Sequence, residues 1–315
     1  MVAADSRAIY MMQAWLFHES FWTVARAQAF LSGVPVGSMI ILDLNTEDGP
    51  VWKQLNNFWG HTWIWNSLIT YGGRRGIYGD LDRLAAQPYA DRAASPNMAG
   101  VGFTPEAIEM IPSQFDIAME AGWRTTPPEP RAWLRAWAAR RYGNSDTTRL
   151  PSPLLSAAQD VLAAAAFNSP IDTASLEGVP GVADSMSRNT NATGIFTALR
   201  MYYLAASTGQ VGQAAIGTTF SYDITDLCRQ FLINMFSDAH GLLGAVFARP
   251  PPSNASVPAY AAFASGIITD LDEVLAADQN FLLGTWIADA ASWGTNTNET
   301  ALWVYNARNQ ITLWG

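Results

Sequence analysis

Met98-Ala99-Gly100-Val101-Gly102-Phe103-Thr104-Pro105-Glu106 is the stretch on which the fold reading turns. Met98 to Phe103 is a run of small and apolar residues and reads as a buried strand. It stops at Pro105, which has no N–H to give to a ladder. Glu106 follows that stop at once. A carboxylate just past the C-terminal end of a strand, beside Gly and Pro, stands where parallel barrels place catalytic groups. By residue type alone, a glutamate in a loop is more often a solvated side chain.

Residues 1–125 alternate strand-like and helix-like patterns. Ile9 to Phe17 reads as a strand, Glu19 to Leu31 as a helix, and Met39 to Leu44 as a strand. Trp63 to Ile69 reads as a third strand, followed by a turn at Gly72-Gly73, and Asp80 to Ala94 as a helix. Strand, crossover and strand at this spacing imply a parallel α/β sheet. Four βα units make half of an eight-stranded barrel, so two readings stand here: a small open sheet, or the C-terminal half of a (β/α)8-type barrel.

Thr125-Thr126-Pro127-Pro128-Glu129-Pro130 marks a domain boundary. From residue 126 to 315 the pattern is all-α. Helices are expected over Pro130 to Tyr142, Pro153 to Phe167, Gly194 to Ala206, Asp223 to Phe247, Tyr260 to Ala276, Asn280 to Ser292 and Thr300 to Leu313. Residues 168–193 read as a loop, and Arg249-Pro250-Pro251-Pro252 breaks the longest helical run.

Composition narrows the function classes. Hydrophobic residues make up 49% of the 315 and charged residues 14%, which excludes a disordered chain. The net charge of −9 argues against a nucleic-acid partner, because phosphate binding needs clustered Lys and Arg. No 18-residue apolar run is present, so no transmembrane helix is expected. Cys228 is the one cysteine, which excludes an internal disulfide. His18, His61 and His240 show no metal-ligand spacing, and neither a metal nor a cofactor is expected. The N-terminus, Met1 to Arg7, has no apolar segment of the kind found in signal peptides. Sequons at Asn191, Asn254 and Asn298 nevertheless hint at a secreted parent. The thirteen Trp are mostly accounted for by packing, although indole faces also make carbohydrate platforms.

Carboxylates at strand ends are the stronger signal. Asp43, Glu47 and Glu106 all follow predicted parallel strands, and ligands of such sheets bind at the carboxyl ends. Glycoside hydrolysis needs two carboxyl groups flanking the scissile bond. Trp15, near the end of the first strand, points an aromatic face at the same region.

These residues resemble the lysosomal alpha-N-acetylglucosaminidases, glycoside hydrolases that remove terminal alpha-linked N-acetylglucosamine. The resemblance runs through Gln13-Ala14-Trp15-Leu16-Phe17, Met39 to Leu44 with Glu47, Ile64-Trp65, Gly72-Gly73 and Gly102 to Ile108. It continues through Gly122-Trp123-Arg124, Ala138 to Gly143, Tyr222-Asp223 with Asp226-Leu227, and Leu271 to Leu275. Phe281 to Gly284 and Leu313-Trp314-Gly315 close the series in family order.

The resemblance implies residues 1–125 as the C-terminal half of a catalytic (β/α)8 barrel and 126–315 as an α-helical domain that ends inside the family's own. It implies Glu106 as the nucleophile, and Trp15 and Trp314 as walls of the sugar subsite; Asp43 and Glu47, from their strand-end positions, are the further candidates for substrate contact. The family's general acid lies in an Asn-Glu pair on an earlier strand, and no such pair precedes Trp15 here. The chain also departs from the family at Ala14 and around the Gly-Gly turn, where Ile69-Thr70 and Arg74-Arg75 stand. The implied activity is retaining exo-hydrolysis of glycans ending in alpha-N-acetylglucosamine, heparan-sulfate-like in animal relatives, with this chain a fragment that is inactive alone. The competing reading is a truncated or degenerate glycan-binding or structural protein. A lysosomal or secreted location follows from the resemblance, and self-association is left open.

Overall fold

The strands of the first hundred residues pair into one parallel sheet. The computed structural model describes residues 5, 7–68, 76–106, 111–143, 152–169, 190–248, 250 and 256–310. It resolves the chain into two units, Met1–Tyr71 with Gly79–Trp133, and Gly72–Tyr78 with Leu134–Gly315.

In the first unit, β1 (Tyr10–Gln13), β2 (Met39–Asp43), β3 (Thr62–Ser67) and β4 (Met98–Phe103) pair in the order β1-β2-β3-β4, all parallel. Sequential order with helical crossovers is the pattern of a βα-barrel wall. Helices α1 (Val24–Leu31), α2 (Val51–Gln54), α3 (Leu81–Ala94) and α4 (Pro112–Glu120) accompany it. Thr23 caps α1 and Asp80 caps α3, each accepting from a backbone N–H in the first turn.

The register separates the two faces of the sheet. Met39, Ile41, Trp63 and Trp65 are buried. The indole N–H of Trp63 donates to Ser95 Oγ at 2.9 Å, and that of Trp65 to Asp91 Oδ2 at 3.1 Å. Asp91 is in α3 and Ser95 directly follows it, so this face carries the helices. Trp52 of α2 stacks on Trp63, with centroids 5.4 Å apart. The opposite face presents Met11, Gln13, Ile40, Leu42, Ile64, Asn66, Gly100 and Gly102. Met11 is 57% exposed there, and Ile40, Leu42 and Ile64 are only half-buried. Both faces are apolar, as expected for parallel strands.

Two local features re-aim the chain. Pairing shifts between Trp63 and Ile64, so Ala99 is an extra residue in β4. This bulge places Gly100 and Gly102 on the half-open face opposite Ile64 and Asn66. Between α2 and β3, Asn56, Asn57, Phe58 and Trp59 form a left-handed turn with φ from +47° to +54°. Such backbone costs about 1–2 kcal/mol per residue. Burial of Phe58 edge-on to Trp63 and donation from Asn97 Nδ2 to the carbonyls of Asn57 and His61 offset it.

The helices of the second unit fall close to where the pattern puts them. They are α5 (Pro130–Tyr142), α6 (Pro153–Ala165), α7 (Ala192–Ser207), α8 (Thr219–Phe247), α9 (Val257–Ala276), α10 (Leu283–Ser292) and α11 (Thr297–Gln310). Helix α5 enters this unit at Leu134. Ser152 caps α6 and Asn191 caps α7. The expected strand from Ile9 to Phe17 is shorter: after Gln13 the chain turns into a 3₁₀ segment, Ala14–His18. The Gly72-Gly73 turn, Trp314, and residues 170–189, 249, 251 and 252 lie outside the described residues.

A polar cluster ties α5 to α8. Arg141 forms an ion pair with Asp223, its Nη2 2.8 Å from Oδ1. The Tyr142 hydroxyl donates to Asp223 Oδ2 and meets the Tyr202 hydroxyl at 2.8 Å. Gln159 Nε2 donates to Tyr202 at 2.7 Å. Burial lifts the Asp223 carboxyl, while Arg141 and the Tyr142 hydroxyl pull it back down. Removing one partner of a buried pair leaves the other charge uncompensated, at about 3–5 kcal/mol. Asp223→Ala is therefore expected to cost about 3–5 kcal/mol in denaturant unfolding. A loss within about 0.5 kcal/mol, ordinary for a surface site, would show that the cluster does not hold the helices.

Candidate active site

A parallel sheet aligns its carboxyl ends, so residues far apart in sequence meet along one rim. At that rim, Gln13 ends β1, Asp43 ends β2, Ser67 ends β3 and Phe103 ends β4. The backbone N–H of Thr104 donates to the Ser67 carbonyl at 2.9 Å, which carries the pairing one step past β4. Pro105 ends the pairing, and Glu106 comes next, exposed. The strand-end carboxylate expected from the sequence is thus at the carboxyl edge of the sheet and open to solvent.

Trp15 lies in the 3₁₀ turn that follows β1. It is half-buried, and its ring meets His18 edge-on with centroids 4.9 Å apart. Trp15 and Glu106 therefore follow the first and last strands of the sheet at its carboxyl edge. Trp314 lies outside the described residues.

Asp43 and Glu47 behave differently. Asp43 is wholly buried, on the face of β2 that the helices cover. Its oxygens accept from the backbone N–H groups of Val51 at 3.3 Å and Trp52 at 3.0 Å, which fixes the start of α2. Glu47 is buried too, and its Oε1 accepts from Ser67 Oγ at 2.9 Å and Leu68 N at 2.6 Å. Its Oε2 has no hydrogen-bond partner among the described residues. Arg83 donates to the Glu47 carbonyl at 2.7 Å. Glu47 thus clamps the segment leaving β3 to the loop leaving β2. Burial pushes both carboxyls up to about 7, against the amide bonds that pull them down. Asp91 and Glu47 add like-charge repulsion at Asp43, and Asp48 adds it at Glu47.

Asn66 is a further polar residue near the rim that no sequence motif marks. It sits on the half-open face at the end of β3, opposite Gly102. A Cβ at residue 102 would come within 2.6 Å of Asn66 Oδ1, so the glycine is what leaves room for the amide. The signal available was an amide ending an aromatic strand, but its meaning depends on the register. Thr46 Oγ1 accepts from the Asn66 backbone N–H at 3.0 Å and donates to the Asp43 carbonyl. Among the described residues no cluster of His, Cys, Asp and Glu could hold a metal ion, and no helix is long and apolar enough to cross a membrane.

Comparison with known proteins covers nearly the whole chain. Residues 1–125 match the family model of the alpha-N-acetylglucosaminidase TIM-barrel domain, and residues 133–315 that of the C-terminal domain. Human alpha-N-acetylglucosaminidase is 31% identical over 325 aligned positions, covering all of this chain and 42% of the human protein. The chain thus spans about two fifths of the curated relative. The structure of a family 89 glycoside hydrolase from Clostridium perfringens with PUGNAc superposes at a TM-score of 0.80 and 22% identity, over all of this chain and 35% of that one. A variant of that bacterial protein with two Glu-to-Gln changes, in complex with its substrate GlcNAc-alpha-1,4-galactose, gives 0.78 and 22% over the same shares. At this identity the bacterial structures establish the fold.

The raised carboxyls carry a pH signature. Both folded-state values lie above those of the unfolded chain, so folding takes up protons as pH falls from about 7 towards 4. Their contribution to stability is complete below the unfolded values and is lost as pH rises through about 7. At about 1.4 kcal/mol per pKa unit, Glu47 contributes up to about 3 kcal/mol across that window. Urea unfolding of the wild type and Glu47→Gln at pH 4.5, 6 and 7.5 isolates this share from other titrations. The wild type should lose stability relative to the variant as pH rises, and a pH-independent difference would contradict the assignment.

Proposed function

This chain belongs to the alpha-N-acetylglucosaminidase family, and on that premise we propose that it is part of a retaining exo-glycoside hydrolase that releases terminal alpha-linked N-acetylglucosamine. The observation that carries the reading is the parallel rim, with Glu106 past β4 and Trp15 past β1. The domain division belongs to the same proposal: residues 1–125 supply the barrel segment with the nucleophile, and 126–315 the helical domain. So does the fragment reading, in which further barrel strands cover the half-open face of the sheet and bring the general acid. A lysosomal or secreted location is proposed with it, by likeness to the human relative.

The chemistry follows from the substrate. In an alpha-linked N-acetylglucosaminide the leaving group and the 2-acetamido group are cis on the ring. The acetamido oxygen cannot reach the back of the departing bond, so the protein supplies the nucleophile. Two carboxyl groups about 5–5.5 Å apart suit this retaining route. Glu106, at the solvent-open edge, attacks the anomeric carbon as the carboxylate. A second carboxyl with a raised pKa protonates the leaving oxygen and then activates water. Trp15 stacks on the sugar ring. Trp314, which lies outside the described residues, is carried over from the resemblance as a further wall of the sugar subsite. Asp43 and Glu47 hold the mouth from behind by fixing α2 and the end of β3. Asn66 presents an amide on the inner side of the rim.

Kinetics on an activated aryl alpha-glycoside test the nucleophile, because a good leaving group needs little acid help. Glu106→Gln in the protein with its complete barrel should lower kcat/KM by more than about 100-fold, a barrier change of about 2.7 kcal/mol, with unchanged melting. In Glu106→Ala, added azide should restore turnover and give the beta-glycosyl azide, since the small anion enters from the vacated face. More than about a tenth of the wild-type rate in Glu106→Gln, a change under about 1.4 kcal/mol, would remove Glu106 from the role.

A further inference from the structure

The second unit carries a cleft that the catalytic reading does not use. It lies between α10 and α11 and has a volume of about 520 Å³. From α10 and its C-cap come Trp286, Asp289, Ala290 and Trp293, and from α11 come Trp303, Asn306, Ala307 and Gln310, with Asn309 also in the lining. Each set of four recurs at i, i+3, i+4 and i+7, so each is one face of its helix. A core seam at these positions would be apolar throughout. Here each face sets tryptophan beside a carboxylate or amides.

The ring positions are defined by the fold. The Trp286 indole N–H donates to the Ala307 carbonyl at 2.9 Å, which ties α10 to α11 and fixes that ring in the cleft lining. Trp293 stands at the C-terminal cap of α10, where its backbone N–H is bonded to the Ala290 carbonyl. Its side chain is 76% exposed, and Trp303 is 42% exposed. Large indoles held at the surface beside Asp289, Asn306 and Gln310 combine a flat apolar face with side-chain donors and acceptors.

We infer that this cleft is an accessory binding site for a neutral saccharide. Pyranose rings carry apolar C–H faces that stack on indoles, and hydroxyl or acetamido groups that bond amides and carboxylates. The charge argues against the polyanionic alternative: Asp289 lines the cleft, no Lys or Arg among the described residues does, and the chain carries −9 overall. A mostly apolar cleft with a few polar groups is the ordinary form of a small-ligand site. The inference does not depend on the catalytic reading, because the cleft can bind a sugar whether or not Glu106 acts on one.

Saturation-transfer NMR and isothermal titration on the full-length protein test it. The neutral probe is N,N′-diacetylchitobiose, whose beta linkage makes it no substrate for an alpha-glycosidase, and the anionic probe is a heparin hexasaccharide. Saturable chitobiose binding is expected, at least tenfold weaker in Trp293→Ala and in Asn306→Ala and unchanged in Glu106→Gln, with little binding of the heparin fragment. The exposure of Trp293 keeps its variant foldable, and Trp303→Phe, which retains a ring, should bind within a few-fold of wild type. Absence of chitobiose binding, equal binding by Trp293→Ala, or loss of binding only in Glu106→Gln would overturn the site. Protection of α10 and α11 from hydrogen exchange by polypeptide beyond Gln310, without sugar present, would do so as well.

Discussion

The parallel register of four strands is the constraint from which the rest follows. Once Tyr10 lies beside Met39, Ile40 beside Thr62 and Trp65 beside Val101, all four carboxyl ends fall on one edge. Helices then have one sheet face to cover, and they cover the one that carries Trp63 and Trp65. Those indoles spend their N–H groups on Ser95 and Asp91, so α3 is held by hydrogen bonds as well as by apolar contact. The register also assigns the side chains near the rim: Asp43 inward to the helices, and Asn66 to the face they leave open.

The rim sets buried carboxylates at its back and an exposed one at its edge, a contrast that the proposed roles use. Asp43 and Glu47 are locked by backbone N–H groups and are driven towards the neutral form by burial. Glu106 follows Pro105 at the open end of the sheet. A carboxylate that must attack a carbon needs the second setting, while one that must hold a loop gains from the first.

Much of this was legible in the sequence, for identifiable reasons. Strand Met98–Phe103 and helix Pro130–Tyr142 come out at the expected residues because Gly and Pro punctuate their ends. The family resemblance was legible because its blocks are spread along the chain in order, and both domain matches bear it out. What was not legible depends on long-range geometry. Helix α2 has four residues, and its start is fixed by a carboxylate eight and nine positions back. The left-handed turn at Asn56–Trp59 relies on Asn97 from outside the segment. The orientation of Asp43 was hidden because both faces of a parallel strand are apolar, so alternation gives no parity. The room for the Asn66 amide depends on the glycine across the ladder at residue 102.

The central claim is that the carboxylate past β4 forms the bond to the sugar. Trapping that bond tests it without relying on rates: the protein with its complete barrel is incubated with a fluorinated N-acetylglucosaminyl fluoride that forms the glycosyl-enzyme faster than water releases it. Peptide mass spectrometry then locates the adduct. The account predicts one added sugar on the peptide containing Glu106, on that side chain. A label on Glu47 or another carboxylate, or steady turnover of the reagent with no covalent adduct, would contradict it.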